Sequence, residues 1–326
     1  MWWDFGLRGA ACGVKAGGVK EMIENLGARL RGEVLGSGPA ADLLLECLLA
    51  GGHALIEGPP GIGKTSLAQA LAWAFGGEFR RVQFTPDLMP ADVLGFNLYD
   101  QGKGAFRFLP GPVFTHLLLA DEINRTSPRV QSALLECMNE GQVTVDGTTH
   151  RLREPFMVVA TRNDAYPTGT FPLPEPQLDR FLVSIAMNLP DVRTQLDVLG
   201  LHLDRGFAAA AGQTAPSSEL SPESILECGR EVAAVAVAEP VREYVVRLCE
   251  EVRRQARGAP CVSVRASLGL LRMAQARAFL AGRAAVYPED VKGVLPAVLR
   301  HRIEGIVAAD ERDDFLAGVI STIEVP

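Results

Sequence analysis

The sequence is short of paired metal ligands. Its six cysteines, Cys12, Cys47, Cys137, Cys228, Cys249 and Cys261, include no Cys-x-x-Cys, and its five histidines include no pair at ligand spacing. Neither a zinc site nor a disulfide framework is predicted, and scattered thiols of this kind suit a reducing, cytoplasmic setting. Clusters of five or six lysines and arginines are also missing, and the formal net charge is −7. That balance argues against a surface dedicated to nucleic acid or to anionic membrane. No apolar run approaches the roughly 18 residues needed to cross a bilayer. The richest, "LLLECLLAGGHALIEG", is broken by Glu46, His53 and paired glycines, so a soluble protein without membrane insertion is expected. A signal peptide is not indicated either, because Asp4, Arg8 and Lys15 interrupt the N-terminus. Residues 1–25 read as a weakly packed leader, with Met22 an alternative start.

What remains is ordinary globular composition, 48% hydrophobic and 22% charged over 326 residues, enough for one large domain or two smaller ones. From 26 to 190, short apolar runs alternate with helical segments, as expected of a parallel sheet covered on both faces. Five strands are predicted, in "HALIEG" (53–58), "FRRVQF" (79–84), "HLLLADE" (116–122), "FMVVATRN" (156–163) and "RFLVSIAM" (180–187). From 191 to 326 helical periodicity takes over, after a connection rich in alanine and glycine, "GFAAAAGQTAPSS". Ser221-Pro222-Glu223 has the form of a helix start, with serine as N-cap and proline in the first turn.

"GPPGIGKT", residues 58–65, fits G-x-x-x-x-G-K-[ST] and falls between a predicted strand and the predicted helix "SLAQALAWAF". Gly58, Pro59, Pro60, Gly61, Ile62 and Gly63 would wrap a phosphate, the non-proline residues supplying backbone N–H groups, backed by the positive end of a helix beginning near Ser66. Lys64 would reach the β and γ phosphates of ATP, and the Thr65 hydroxyl would bind magnesium. A plain Gly-Pro turn would seldom finish in Gly-Lys-Thr. In "LLLADEIN" a buried strand delivers Asp121 and Glu122 at its carboxyl end, the edge where open α/β sheets bind ligands. Asp121 suits magnesium through water, and Glu122 suits orientation and partial deprotonation of an attacking water. Asn163, closing a neighbouring strand, could hydrogen-bond the γ phosphate or that water, although asparagine after a strand is commonly a turn residue.

The order of these motifs resembles an AAA+ ATPase and, more narrowly, the MoxR family. The resemblance runs from about Glu33 to Ile303 and includes "RRVQFTPDLMPADVLGFNLYD", "FRFLPGPVF", "ADEINR", "QSALLECMNEGQVTVDG", "GTFPLPEPQLDRF" and "YPEDVKGVLPAVLRHRI". It implies an α/β fold, an AAA+ P-loop NTPase core with a parallel five-stranded sheet between helices, followed by a small all-helical lid domain. It further implies a homo-oligomeric ring, usually hexameric, that remodels a partner protein often carrying a von Willebrand factor A domain. By resemblance Asn163 is the first sensor, Arg180 the arginine finger, and Arg265 the second sensor facing nucleotide in its own subunit. Two inserted hairpins are implied near the pore, about 94–108 and 141–152; the second carries the Asp-Gly of a tight turn. The chain departs from the family in reading "ATRND" where Ala-Thr-Gln-Asn-Pro is common, and in the length of "GAPCVSVRA" before Arg265. Competing readings are a nucleotide-dependent assembly scaffold with incidental hydrolysis and a DNA-acting motor on the same core. The acidic balance weighs against the last.

Overall fold

The computed structural model describes residues 16–34, 36–163, 169–205, 220–256 and 262–326. The connection at 206–218 and residues 1–15 lie outside the described residues. In chain order come α1 (Ala16–Glu33), α2 (Gly38–Leu49), β1 (Ala54–Glu57), α3 (Lys64–Ala74), β2 (Phe79–Gln83), α4 (Pro90–Leu94), β3 (Gly95–Asp100), β4 (Ala105–Pro110) and β5 (Leu117–Asp121). They are followed by α5 (Pro128–Glu140), β6 (Gln142–Val145), β7 (Thr148–Arg151), β8 (Met157–Arg162), α6 (Glu175–Leu178), β9 (Val183–Ala186) and α7 (Val192–Arg205). The last part is helical: α8 (Pro222–Ala234), α9 (Glu239–Gln255), α10 (Val264–Leu280), α11 (Pro288–Leu299) and α12 (Arg312–Thr322).

The five predicted strands form one sheet in the order β2-β5-β8-β1-β9, and every pairing in it is parallel. Central strands β5, β8 and β1 are buried along their whole length, which is why they read as unbroken apolar runs rather than alternating ones. Alternation still sorts their side chains. Ala54 and Ile56 of β1 join a core with α2, α3 and the C-terminal helices, whereas Leu55 joins a second core with α5 on the opposite face.

Both inserted hairpins are present, β3–β4 and β6–β7. The second turns at Asp146 and Gly147, whose φ values of 49° and 78° give the left-handed pair that a two-residue hairpin requires. Asn97 donates to Asp146 at 2.8 Å, and His150 stacks on Phe108 with ring centroids 3.9 Å apart, so the hairpins brace each other.

One expectation is corrected. The leader read as weakly packed to residue 25 is helical from Ala16, because Ile23, Leu26 and Leu30 recur at helical spacing and are buried in the first core. Ser221 caps α8 as expected, its hydroxyl accepting the Ser224 N–H.

Candidate nucleotide site

The parallel register brings the functional stretches to one edge. Glu57 pairs with Arg162, Ala120 with Ala160 and Gln83 with Asp121. Gly58, Asp121, Glu122 and Asn163 therefore leave neighbouring strands at the same height, at the carboxyl edge of the sheet.

Gly58 has a φ of 155°, and a Cβ there would lie 2.3 Å from the Met187 carbonyl oxygen. Gly63 has a φ of 91°, and a Cβ would meet Val34 Cγ1 at 2.8 Å. Only glycine fits this path. The loop passes into α3 at Lys64 with no side chain capping the helix, whose positive end therefore faces the loop. Lys64 Nζ donates to the Gly58 carbonyl at 2.7 Å and spans the loop. This cradle of backbone donors with one ammonium fits a polyphosphate.

Asp121 and Glu122 are held from two sides. The Thr161 hydroxyl donates to Asp121 Oδ1 at 2.6 Å and accepts the Glu122 N–H at 2.9 Å. Arg81 donates to Asp121 Oδ2 at 2.6 Å. Glu122 takes a left-handed φ of 56°, and its carboxylate accepts from Gln83 at 2.8 Å and pairs with Arg125 at 3.0 Å. Thr161, Arg81, Gln83 and Arg125 were not singled out in the sequence; strand register brings the first three to the acids, and the tight turn after Glu122 brings Arg125. Asn163 is buried and lines a small cleft with Asn124, Arg162, Thr170, Leu173 and Glu304.

No group of three or more metal-ligating side chains exists among the described residues. The donor set of Thr65 and Asp121 fits magnesium, an ion that keeps several waters and is carried largely by phosphate oxygens.

Arg180 stands elsewhere. It precedes β9, at the edge where the strands start, and donates to the Leu135 carbonyl at 2.9 Å. Ahead of it Leu173 is buried and the Phe171 N–H donates to the Asn124 carbonyl at 2.6 Å, so the proline-rich stretch is fastened to the core.

Arg265 departs from its expected place beside its own phosphate loop. It pairs with Asp179 at 3.3 Å, next to Arg180. The cause is packing: α10 lies against the segment before β9 so closely that a Cβ at Gly269 would come within 2.8 Å of Leu182. Asp179 also accepts from the buried Arg302 at 2.9 Å.

Comparison with known proteins matches residues 53–183 to the ATPase family associated with various cellular activities (AAA) and residues 251–317 to the AAA lid domain. A crystal structure from Cytophaga hutchinsonii, of a protein assigned as an ATPase, superposes with a TM-score of 0.81 at 34% identity, covering 94% of this chain and 96% of that one. Fold and site thus define an AAA ATPase with a helical lid. Chaperone MoxR1 of Mycobacterium tuberculosis is 38% identical over 83% of this chain and 72% of its own length. Protein MoxR of Paracoccus denitrificans is 34% identical over 92% and 95%, and YeaC of Bacillus subtilis is 41% identical over 90% and 91%. The chain belongs to the MoxR family of AAA+ ATPases.

Proposed function

We propose that this ATPase binds ATP with magnesium at the phosphate loop and, as a homo-oligomeric ring of six copies, couples hydrolysis to remodelling of a partner protein. The observation that supports this reading most is the division of the residues between two edges. Lys64, Thr65, Asp121, Glu122 and Asn163 belong to one edge, while Arg180 stands at the other beside Arg265.

Phosphoryl transfer asks for positioning and charge stabilisation more than for covalent chemistry. Lys64 would bind the β and γ phosphates, and Thr65 and Asp121 would hold magnesium, which supplies neutralisation of phosphate charge. Glu122 would orient the attacking water and draw its proton, with Asn163 fixing the γ phosphate or that water. Arg180, with no route to its own site, would serve the site of a neighbour. A finger of that kind is worth about 10³ to 10⁵ in rate, so an isolated subunit would turn over slowly. The chaperone designation of one relative, MoxR1 of Mycobacterium tuberculosis, supports a protein client, and a partner with a von Willebrand factor A domain is the candidate. Cytoplasmic location and the lack of a nucleic-acid substrate remain part of this reading.

Two substitutions test the nucleotide assignments. Lys64→Ala is expected to abolish ATP binding, measured by calorimetry. Glu122→Gln is expected to bind ATP normally and to stop phosphate release; normal turnover in that variant would remove Glu122 from its role.

A further inference from the structure

Arg162 ends β8, immediately before Asn163, and its side chain is only 5% exposed. It serves two carboxylates at once. Nη2 donates to Glu57 Oε1 at 3.0 Å, and the two terminal nitrogens grip Glu304, Nη1 to Oε1 at 2.9 Å and Nη2 to Oε2 at 2.6 Å. Glu57 ends β1, immediately before Gly58, and is held in place by the Ser184 hydroxyl at 2.6 Å. Glu304 belongs to the helical lid, directly after the turn Arg300–Ile303 that follows α11, and Arg312 stands 3.9 Å from it. One buried guanidinium thus joins the residue before the phosphate loop, the residue before Asn163, and the lid.

Burial makes this a costly way to gain stability alone, since apolar side chains of similar volume commonly hold a fold as well as a buried ion pair. What the fork adds is geometry. A guanidinium presents donors in fixed directions to two carboxylates, which the single ammonium of lysine cannot do at these separations.

We propose that Arg162 is a positioning residue for hydrolysis: by binding Glu57 and Glu304 together it fixes Asn163 relative to Gly58 and makes that placement depend on the lid. The inference rests on the reading that Asn163 faces the γ phosphate or the attacking water. A shift of the lid turn at Glu304 pulls on the same guanidinium that sets the ends of β1 and β8, so lid and catalytic edge move as one unit.

The test uses the full chain under assembling conditions. Glu304→Gln keeps the shape of a part-exposed side chain and removes its charge. It is expected to leave ATP affinity and KM near wild type while kcat falls about fivefold, the pattern of a lost transition-state placement. Arg162→Lys should fall similarly, and the double variant should be no worse than either single one, because both break one linkage. Hydrogen exchange over residues 300–307 should respond to a non-hydrolysable ATP analogue in the wild type and lose that response in Glu304→Gln. Wild-type kcat with a wild-type exchange response in Glu304→Gln overturns the inference, and so do additive effects in the double variant. Should Arg162→Lys fail to fold, Glu304→Gln decides alone. Failure of the wild type to bind ATP would instead overturn the nucleotide-site reading and carry this one with it.

Discussion

Thr161 carries more of the site than its size suggests. A hydroxyl has one proton to give and lone pairs to receive, and here it gives to Asp121 and receives from the Glu122 backbone, so one atom orients both acids. Thr161→Val removes both bonds without changing volume. The variant should lose about 1 to 3 kcal/mol of stability through the unsatisfied Glu122 N–H, and turnover should fall while ATP binding through Lys64 persists. Thr161→Ser should recover turnover, and steady-state phosphate release of the two variants separates hydroxyl from shape. Residues such as Lys64 and Asp121 were legible in the sequence because each sits in a local pattern with its own mechanical reason. Thr161, Arg81 and Gln83 were not, because their partners lie about 40 positions away and only the register of β2, β5 and β8 brings them together.

At the opposite end of the sheet from the nucleotide edge, the strands are tied down by a buried histidine. His53, just ahead of β1, accepts the Val158 N–H on Nδ1 at 3.0 Å, so its proton sits on Nε2 and is donated to the Met138 carbonyl at 3.0 Å. A second proton would set two N–H groups against each other, and burial pushes the pKa down to about 4 from the usual 6.5. Burial and the Arg302 guanidinium press His301 down in the same direction. The unfolded chain therefore binds more protons than the folded one between about pH 6.5 and 4, and stability should fall as pH drops through that window. Urea midpoints measured across it should slope less steeply in His53→Gln than in the wild type; equal slopes would remove His53 as a cause. At this scale the five strands, the hairpins and the α8 cap were legible from runs, turn residues and capping signals. The helix α1 was not, because its described apolar stripe, Ile23, Leu26 and Leu30, is short and gains its stability from packing with α2 and α3.

Across the whole molecule, one apolar core runs from the sheet and α3 through α8, α9, α10 and α11, so the helical part is packed as a continuation of the first. This continuity sets where Arg265 stands, paired with Asp179. Arg265 could be matched by motif, but the direction in which α10 presents it depends on how the lid docks, which no local pattern encodes. Arg180 and Arg265 both lie at the strand-start edge and the phosphate loop at the strand-end edge, so under the proposed ring a complete site would take residues from two copies. Complementation measures that most directly. Arg180→Ala, with its own Glu122 intact, and Glu122→Gln, with its own Arg180 intact, should each bind ATP and each fail to hydrolyse it under assembling conditions. Mixed, they should regain phosphate release, because interfaces form in which one copy supplies the arginine and the other the glutamate. Full hydrolysis by Arg180→Ala alone, or a mixture as inactive as its parts, would contradict a site shared between neighbours.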